Sequence, residues 1–227
     1  MNSTLLFGRR HTVAVIAAAT LALNACGIDK LIGPPEAPQI YVLRPAAGDI
    51  QGPRVSWALG VDRPDAANDV DTDRIAISRS ANTQDYYANA SWPDKLPSVV
   101  QDLLVQAFEK SGRIDQVATD AAGVHTDYIL QTDIRTFEAH YALPDGPPTG
   151  VVAIEARLIS RNDHSIVART LVEEQALATQ NSVDAAVDAF DRALGNATTR
   201  LVNWTLGAVP SSEGGVQEQT RRHKRSR

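Results

Sequence analysis

Two amphipathic stretches bracket the longest alternating run in this chain, and that order limits the folds open to it more than any other feature. Val100, Leu103, Leu104, Ala107 and Phe108 recur at helical spacing, as do Val183, Ala186, Val187, Phe190, Leu194, Ala197, Leu201 and Trp204. Each set therefore shares one face of a helix. Ser98-Val-Val-Gln101 fits a capping box at the start of the first helix, and Gly112 stands where a left-handed glycine ends one. The second helix is expected over about 182–206, with Gly195 as an interior weak point costing about 1 kcal/mol relative to alanine.

Between the helices the period changes to two. Residues 128–141 read as a long strand, with Tyr128, Leu130 and Ile134 on one face and Asp133, Arg135 and Phe137 on the other. Residues 151–161 and 165–177 flank Asn162-Asp163-His164 and read as a long hairpin. Pro144-Asp145-Gly146-Pro147-Pro148 marks the preceding turn. Before the first helix, shorter strands are expected at 40–44, 55–61, 74–80 and 86–92, with a polar loop over 64–73. A further strand is expected near 113–117. Two amphipathic helices can cover one face of an antiparallel sheet, so the expectation is an α+β domain over 40–208.

The chain has 227 residues and one cysteine, which rules out a disulfide framework and any zinc site needing two thiolates. That cysteine, Cys26, follows a distinctive leader. Arg9-Arg10-His11 precede an apolar run from Val13 to Leu23, and Leu23-Asn24-Ala25-Cys26 resembles a bacterial lipobox. A membrane span needs about 20 apolar residues, so the run is too short to be one and reads as a lipoprotein-type signal peptide over 1–25. Cys26 is then the lipid attachment site, carrying a covalent diacylglycerol and an N-acyl chain of the palmitate kind. An ordinary signal peptide cut near Ala25, or an uncleaved apolar helix, is the alternative. Residues 26–39 form a lipidated linker. Its Pro34, Pro35 and Pro38 favour an extended backbone, and the 13 residues after Cys26 could reach about 40 Å at most.

Charge separates the ends from the body. Arg9 and Arg10, with Arg221, Arg222, Lys224, Arg225 and Arg227, account for seven of 22 basic residues; the other 15 face 27 acidic ones over 26–220, a net of −12. An acidic body makes nucleic acid a poor partner. Residues 209–227 read as a disordered basic tail, either solubilising or in contact with anionic lipid or an acidic partner.

Chemistry-bearing motifs are sparse. No lipase-type serine elbow, P-loop, dinucleotide glycine pattern or zinc-protease motif occurs. His125, His140 and His164 read as packing or exposed residues. Asp69-Val-Asp71-Thr-Asp73 begins like a calcium loop, but Arg74 stands at the turn-glycine position and Ser80 at the bidentate-glutamate position. The residues thus point to no catalytic, cofactor-binding or metal site, and to no enzyme.

Several features then coincide in order: the lipobox, the Pro-rich leader, Tyr41-Val-Leu43-Arg-Pro45, the Arg74-Ile-Ala-Ile77 strand, and Tyr86-Tyr87 leading to Ser91-Trp92-Pro93-Asp-Lys-Leu-Pro97 before the first helix. Together they resemble the ABC-type transport auxiliary lipoprotein family, the PqiC-like intermembrane transport lipoproteins, over roughly 40–207. The resemblance implies a non-enzymatic component of an MCE-type lipid transport system. It would be lipid-anchored in the cell envelope, at the periplasmic face of the outer membrane, and would dock or receive a periplasmic tunnel. The implied partners are an MCE-domain protein and an inner-membrane permease, with or without an ATPase. The rival readings are a lipid carrier holding its ligand between sheet and helices, and a hydrolase with a dispersed site.

Overall fold

A computed structural model describes residues 37–209 except 47, 81, 120 and 121. The residues read as a signal peptide, Cys26, most of those read as a linker and nearly all of those read as a basic tail lie outside the described residues. Residues 38–209 belong to one compact unit.

The long central strand β7 (Tyr128–His140) organises the sheet. Along one edge it pairs over its full length with antiparallel β8 (Thr149–Ser160), which pairs in turn with antiparallel β9 (Ile166–Leu177). This is the expected hairpin, with His164 in the left-handed region at φ 58° in its turn. The other edge of β7 is shared by three segments, all parallel to it. β2 (Leu59–Val61) meets Tyr128–Leu130, the two-residue β3 (Asp65–Ala66) meets Asp133–Ile134, and β4 (Arg74–Ser80) meets Ala139–His140. Outside them lie β5 (Thr83–Ser91), antiparallel to β4, then β1 (Gln39–Ile40), parallel to β5; β6 (Val117–Thr119) runs parallel to β2. The α+β class stands. The long strands are antiparallel as expected, but the sheet as a whole is mixed. β3 falls in the stretch read as a loop, and the first strand is only two residues long because the chain leaves the sheet after Tyr41.

The first helix, α1 (Leu96–Ser111), begins before the capping box. Lys95 is its N-cap, without a side-chain cap, and Pro97 sits in the first turn. Proline suits that turn because its missing N–H would have no intrahelical partner there. Ser98 is therefore already helical, and its hydroxyl instead accepts from Arg63 Nε at 3.3 Å. Gly112 ends the helix as expected, at φ 59° with its N–H on Glu109 O. The second helix, α2 (Val183–Ala208), starts from Ser182, whose hydroxyl accepts from Ala185 N–H at 3.2 Å.

Both helices cover the same face of the sheet. A register shift in the β7–β8 ladder between Ile134 and Thr136 decides what reaches that face. Before it, Leu130, Thr132 and Ile134 point to the helices; after it, Phe137 and Ala139 do. Phe137 thus joins the core face rather than sharing one with Asp133 and Arg135. It stacks on Phe190 at 4.7 Å between centroids, and Trp92 meets both rings edge-on at 6.0 and 5.8 Å. Aromatic pairs in such geometries contribute about 0.5–1.5 kcal/mol each beyond area burial. The space between sheet and helices is filled by this cluster with Leu104, Phe108, Leu194 and Leu201.

Candidate functional site

After Tyr41, whose N–H still donates to Ser91 O in β5, residues 42–52 cross from the sheet onto the helices. Four residues of α2, each four positions after the last, line their path. Asp191 Oδ1 accepts from Arg44 N–H at 2.7 Å, Thr199 Oγ1 from Gly48 N–H at 2.8 Å, and Asn203 Oδ1 from both Gln51 and Gly52 N–H at 2.7 and 2.8 Å. Between the first two stands Gly195, where an added Cβ would lie 2.6 Å from Ala46 O. A helix repeats its face every three to four residues, so Asp191, Gly195, Thr199 and Asn203 form one rail. The rail satisfies backbone donors of a segment that has no strand partner there. Burial pushes the Asp191 carboxyl above its ordinary value, with Asp188 adding to the rise, while the Arg44 N–H opposes it.

The lead-in segment also forms one wall of a groove of about 620 Å³. Val42, Leu43 and Pro45 face Val99, Leu103 and Asp102 of α1 across it. Val42 in this wall and Ile40, two residues before it, are exposed at 50% and 61%. An apolar surface with charged edges, carried where the chain joins the body, has the character of a protein-contacting patch. Arg44, Asp94, Asp102 and Lys110 around the groove make it unlike the mostly apolar lining of a small-molecule pocket. Sequence patterning shows Leu103 as part of a helix stripe, but not that Val99 lines a groove beside it or that Val42 and Pro45 stand opposite.

Among the described residues, a cluster resembling catalytic machinery lies on the other face of the sheet. Ser78 donates to Glu138 Oε1 at 2.6 Å, and its oxygen lies 3.0 Å from His140 Nδ1, beside a polar concavity of about 460 Å³. In an activated nucleophile, imidazole stands between hydroxyl and carboxylate. Here serine stands between carboxylate and imidazole. Its proton is directed to Glu138, and the acid does not orient the ring. His140 is thus a hydrogen-bonded sheet residue, while His125 and His164 lie exposed in loops. In the acidic loop, Asp71 is engaged by Arg63 at 2.7 Å and Lys95 at 3.7 Å. The Arg63 hydrogen bond, ahead of the charges of Arg63 and Lys95, holds its carboxyl below the usual range. Among the described residues no group of three or more His, Cys, Asp or Glu is arranged to hold a metal ion.

The ABC-type transport auxiliary lipoprotein component family matches residues 41–202, from the lead-in segment to the last turns of α2. The chain belongs to this family. A crystal structure of a Xanthomonas campestris protein of the DUF330 family is similar to this auxiliary lipoprotein at 31% identity and a TM-score of 0.69, covering 80% of this chain and 99% of the other. A second crystal structure, of an uncharacterized protein, shares the fold at a TM-score of 0.57 and 13% identity, over 75% of this chain and 99% of that one. An uncharacterized protein of Bradyrhizobium diazoefficiens is 28% identical over 155 residues, which is 68% of this chain. The match spans only 41% of that curated relative. Family membership implies a lipoprotein of the cell envelope serving transport, in a family not known for enzymes. Among the described residues, no helix is long and apolar enough to cross a membrane.

Proposed function

We propose that this auxiliary lipoprotein is a lipid-anchored, non-enzymatic component of an MCE-type intermembrane lipid transport system. It is held by Cys26 at the periplasmic face of the outer membrane, where it docks or receives the tunnel of an MCE-domain partner served by an inner-membrane permease. The observation that carries the reading is the family match beginning at Tyr41, immediately after a Pro-rich segment that follows the only cysteine. The rail on α2 supports it, because a body attached through its N-terminal segment needs that segment held firmly. The filled space between sheet and helices favours docking over a carrier that would store lipid there.

The test is complementation of a membrane-barrier defect, with protein level and circular dichroism as controls. Cys26→Ala is expected to impair function and leave the soluble fold intact, because loss of the anchor lowers the local concentration at the partner. His125→Ala, His140→Ala and His164→Ala, made singly, are expected to complement. Full complementation by the unanchored Cys26→Ala chain at native abundance would favour a free carrier instead. A folded, abundant histidine variant with complete loss of function would turn the reading toward an enzyme.

A further inference from the structure

We infer that the free edge of β9 is a self-association surface, on which a second copy of this chain pairs antiparallel about a two-fold axis at Leu171. The inference stands apart from the proposed function and needs no lipid or transport partner.

β9, 12 residues without proline, pairs with β8 in a ladder whose register shifts at Val167, and with no other strand among the described residues. Its backbone orientation follows from the bonds at its end. Ala178 N–H donates to Pro148 O on the β8 side, whereas Leu177 O accepts from Arg192 at 2.7 Å and Glu173 O from Arg200 at 3.4 Å. Odd-numbered residues from Arg169 to Leu177 therefore turn their N–H and C=O groups outward, up to the register shift at Val167. Their side chains lie on the face opposite α2, since Val172 is buried against the core and Glu174 pairs with Arg200 of α2. An exposed row of unpaired strand donors and acceptors is a template for another strand.

The sequence along that row specifies which strand. Leu171 is 51% exposed, next to the midpoint of the strand. Two positions to either side stand Arg169 and Glu173, whose side chains form no ion pair among the described residues. Arg169 also lies directly opposite Arg157 of β8, a like-charge pairing that weakens a sheet. Antiparallel pairing about Leu171 places Arg169 of each copy directly opposite Glu173 of the other, and Leu171 opposite Leu171. Both unpaired charges are complemented, an exposed leucine is covered, and the regular stretch between the bulge at Val167 and its symmetric position is used. The one internal contact given up is the long Arg200–Glu173 O bond. The Arg192 bond to Leu177 O lies at the end of the paired stretch and is kept.

Cross-linking of the full-length chain in whole cells tests this, with the unsubstituted chain as the baseline for Cys26. A directly opposed, hydrogen-bonded antiparallel pair has its Cα atoms about 5.5 Å apart, within the disulfide range of roughly 4.4–6.8 Å. Leu171→Cys is therefore expected to give a covalent homodimer on mild oxidation. Gln175→Cys is not, because in this register its two copies stand about 27 Å apart. Arg169→Glu or Glu173→Arg, added to Leu171→Cys, is expected to lower the dimer yield by about tenfold as two ion pairs become like-charge contacts. The double reversal is expected to restore it. Equal cross-linking at 171 and 175, no homodimer at 171, attachment of Leu171→Cys to a different protein, or a double reversal that stays low would each overturn the inference.

Discussion

Gly195 stands where α2 and the lead-in segment approach most closely on the rail. Read along the helix it is a weak point; in the folded protein its missing side chain admits the Ala46 carbonyl, which a Cβ would meet at 2.6 Å. That contact is with backbone, so it cannot be relieved by a rotamer change. Gly195→Ala is expected to lose about 1–3 kcal/mol through overpacking, outweighing the gain in helix propensity of about 1 kcal/mol. Urea denaturation checks this, and an unchanged or raised midpoint would refute the close approach. Asp191, one turn earlier on the rail, combines a useful acceptor with an unfavourable charge. Its carboxyl titrates above its unfolded value because of burial. Its stabilising effect is thus full below the unfolded value, about 3.9, and is lost as pH rises through the folded one. Asp191→Asn keeps an oxygen for the Arg44 N–H and removes the charge. It is expected to match or exceed the parent in stability at pH 7 and to lack the parent's relative gain on acidification from pH 6 to 4. Asp191→Ala, which orphans the N–H, is expected to lose about 1 kcal/mol at pH 7.

Among elements, the two helix starts differ in how legible they are. Ser182 caps α2 through the Ala185 N–H as its position suggests, whereas Ser98 lies inside α1. Ser182→Ala is therefore expected to cost about 1 kcal/mol and lower Tm by roughly 3 °C. Ser98→Ala, removing only a 3.3 Å contact to exposed Arg63, is expected to cost less than about 0.5 kcal/mol. Equal losses in thermal melts would return Ser98 to the role of cap. The capping-box pattern misled because it is satisfied by four residue types alone, while Pro97 and the Leu96 N–H bond to Thr72 O set the true start one residue after Lys95. The bulge in β7 is the strand counterpart. One extra residue at Arg135 exchanges the two faces, so strict alternation assigns Leu130 and Ile134 correctly and Phe137 to the wrong side.

For the whole molecule, the core is continuous from α1 through β7 and β8 to α2. A chain of residues 38–209 alone is expected to show one cooperative thermal transition that chelators do not shift. A broad melt, or a large chelator effect, would count against a body that folds without lipid, tail or metal. Most of this architecture was legible from the amino acids: both helices, the long hairpin and its turn, the α+β class and the family resemblance. These are properties of neighbouring residues, and periodicity and turn chemistry report them directly. Tertiary structure alone decided that β2, β3 and β4 share one edge of β7 in parallel, and that the spaced polar residues of α2 grip residues 44–52. Two- and three-residue strands are too short to carry a period, and a backbone donor's partner depends on which distant segment passes beside it. The lone cysteine and the groove walls divide in the same way: Cys26 is a local signal, whereas Val42 faces α1 across the groove only because the chain leaves the sheet after Tyr41 and crosses the helices.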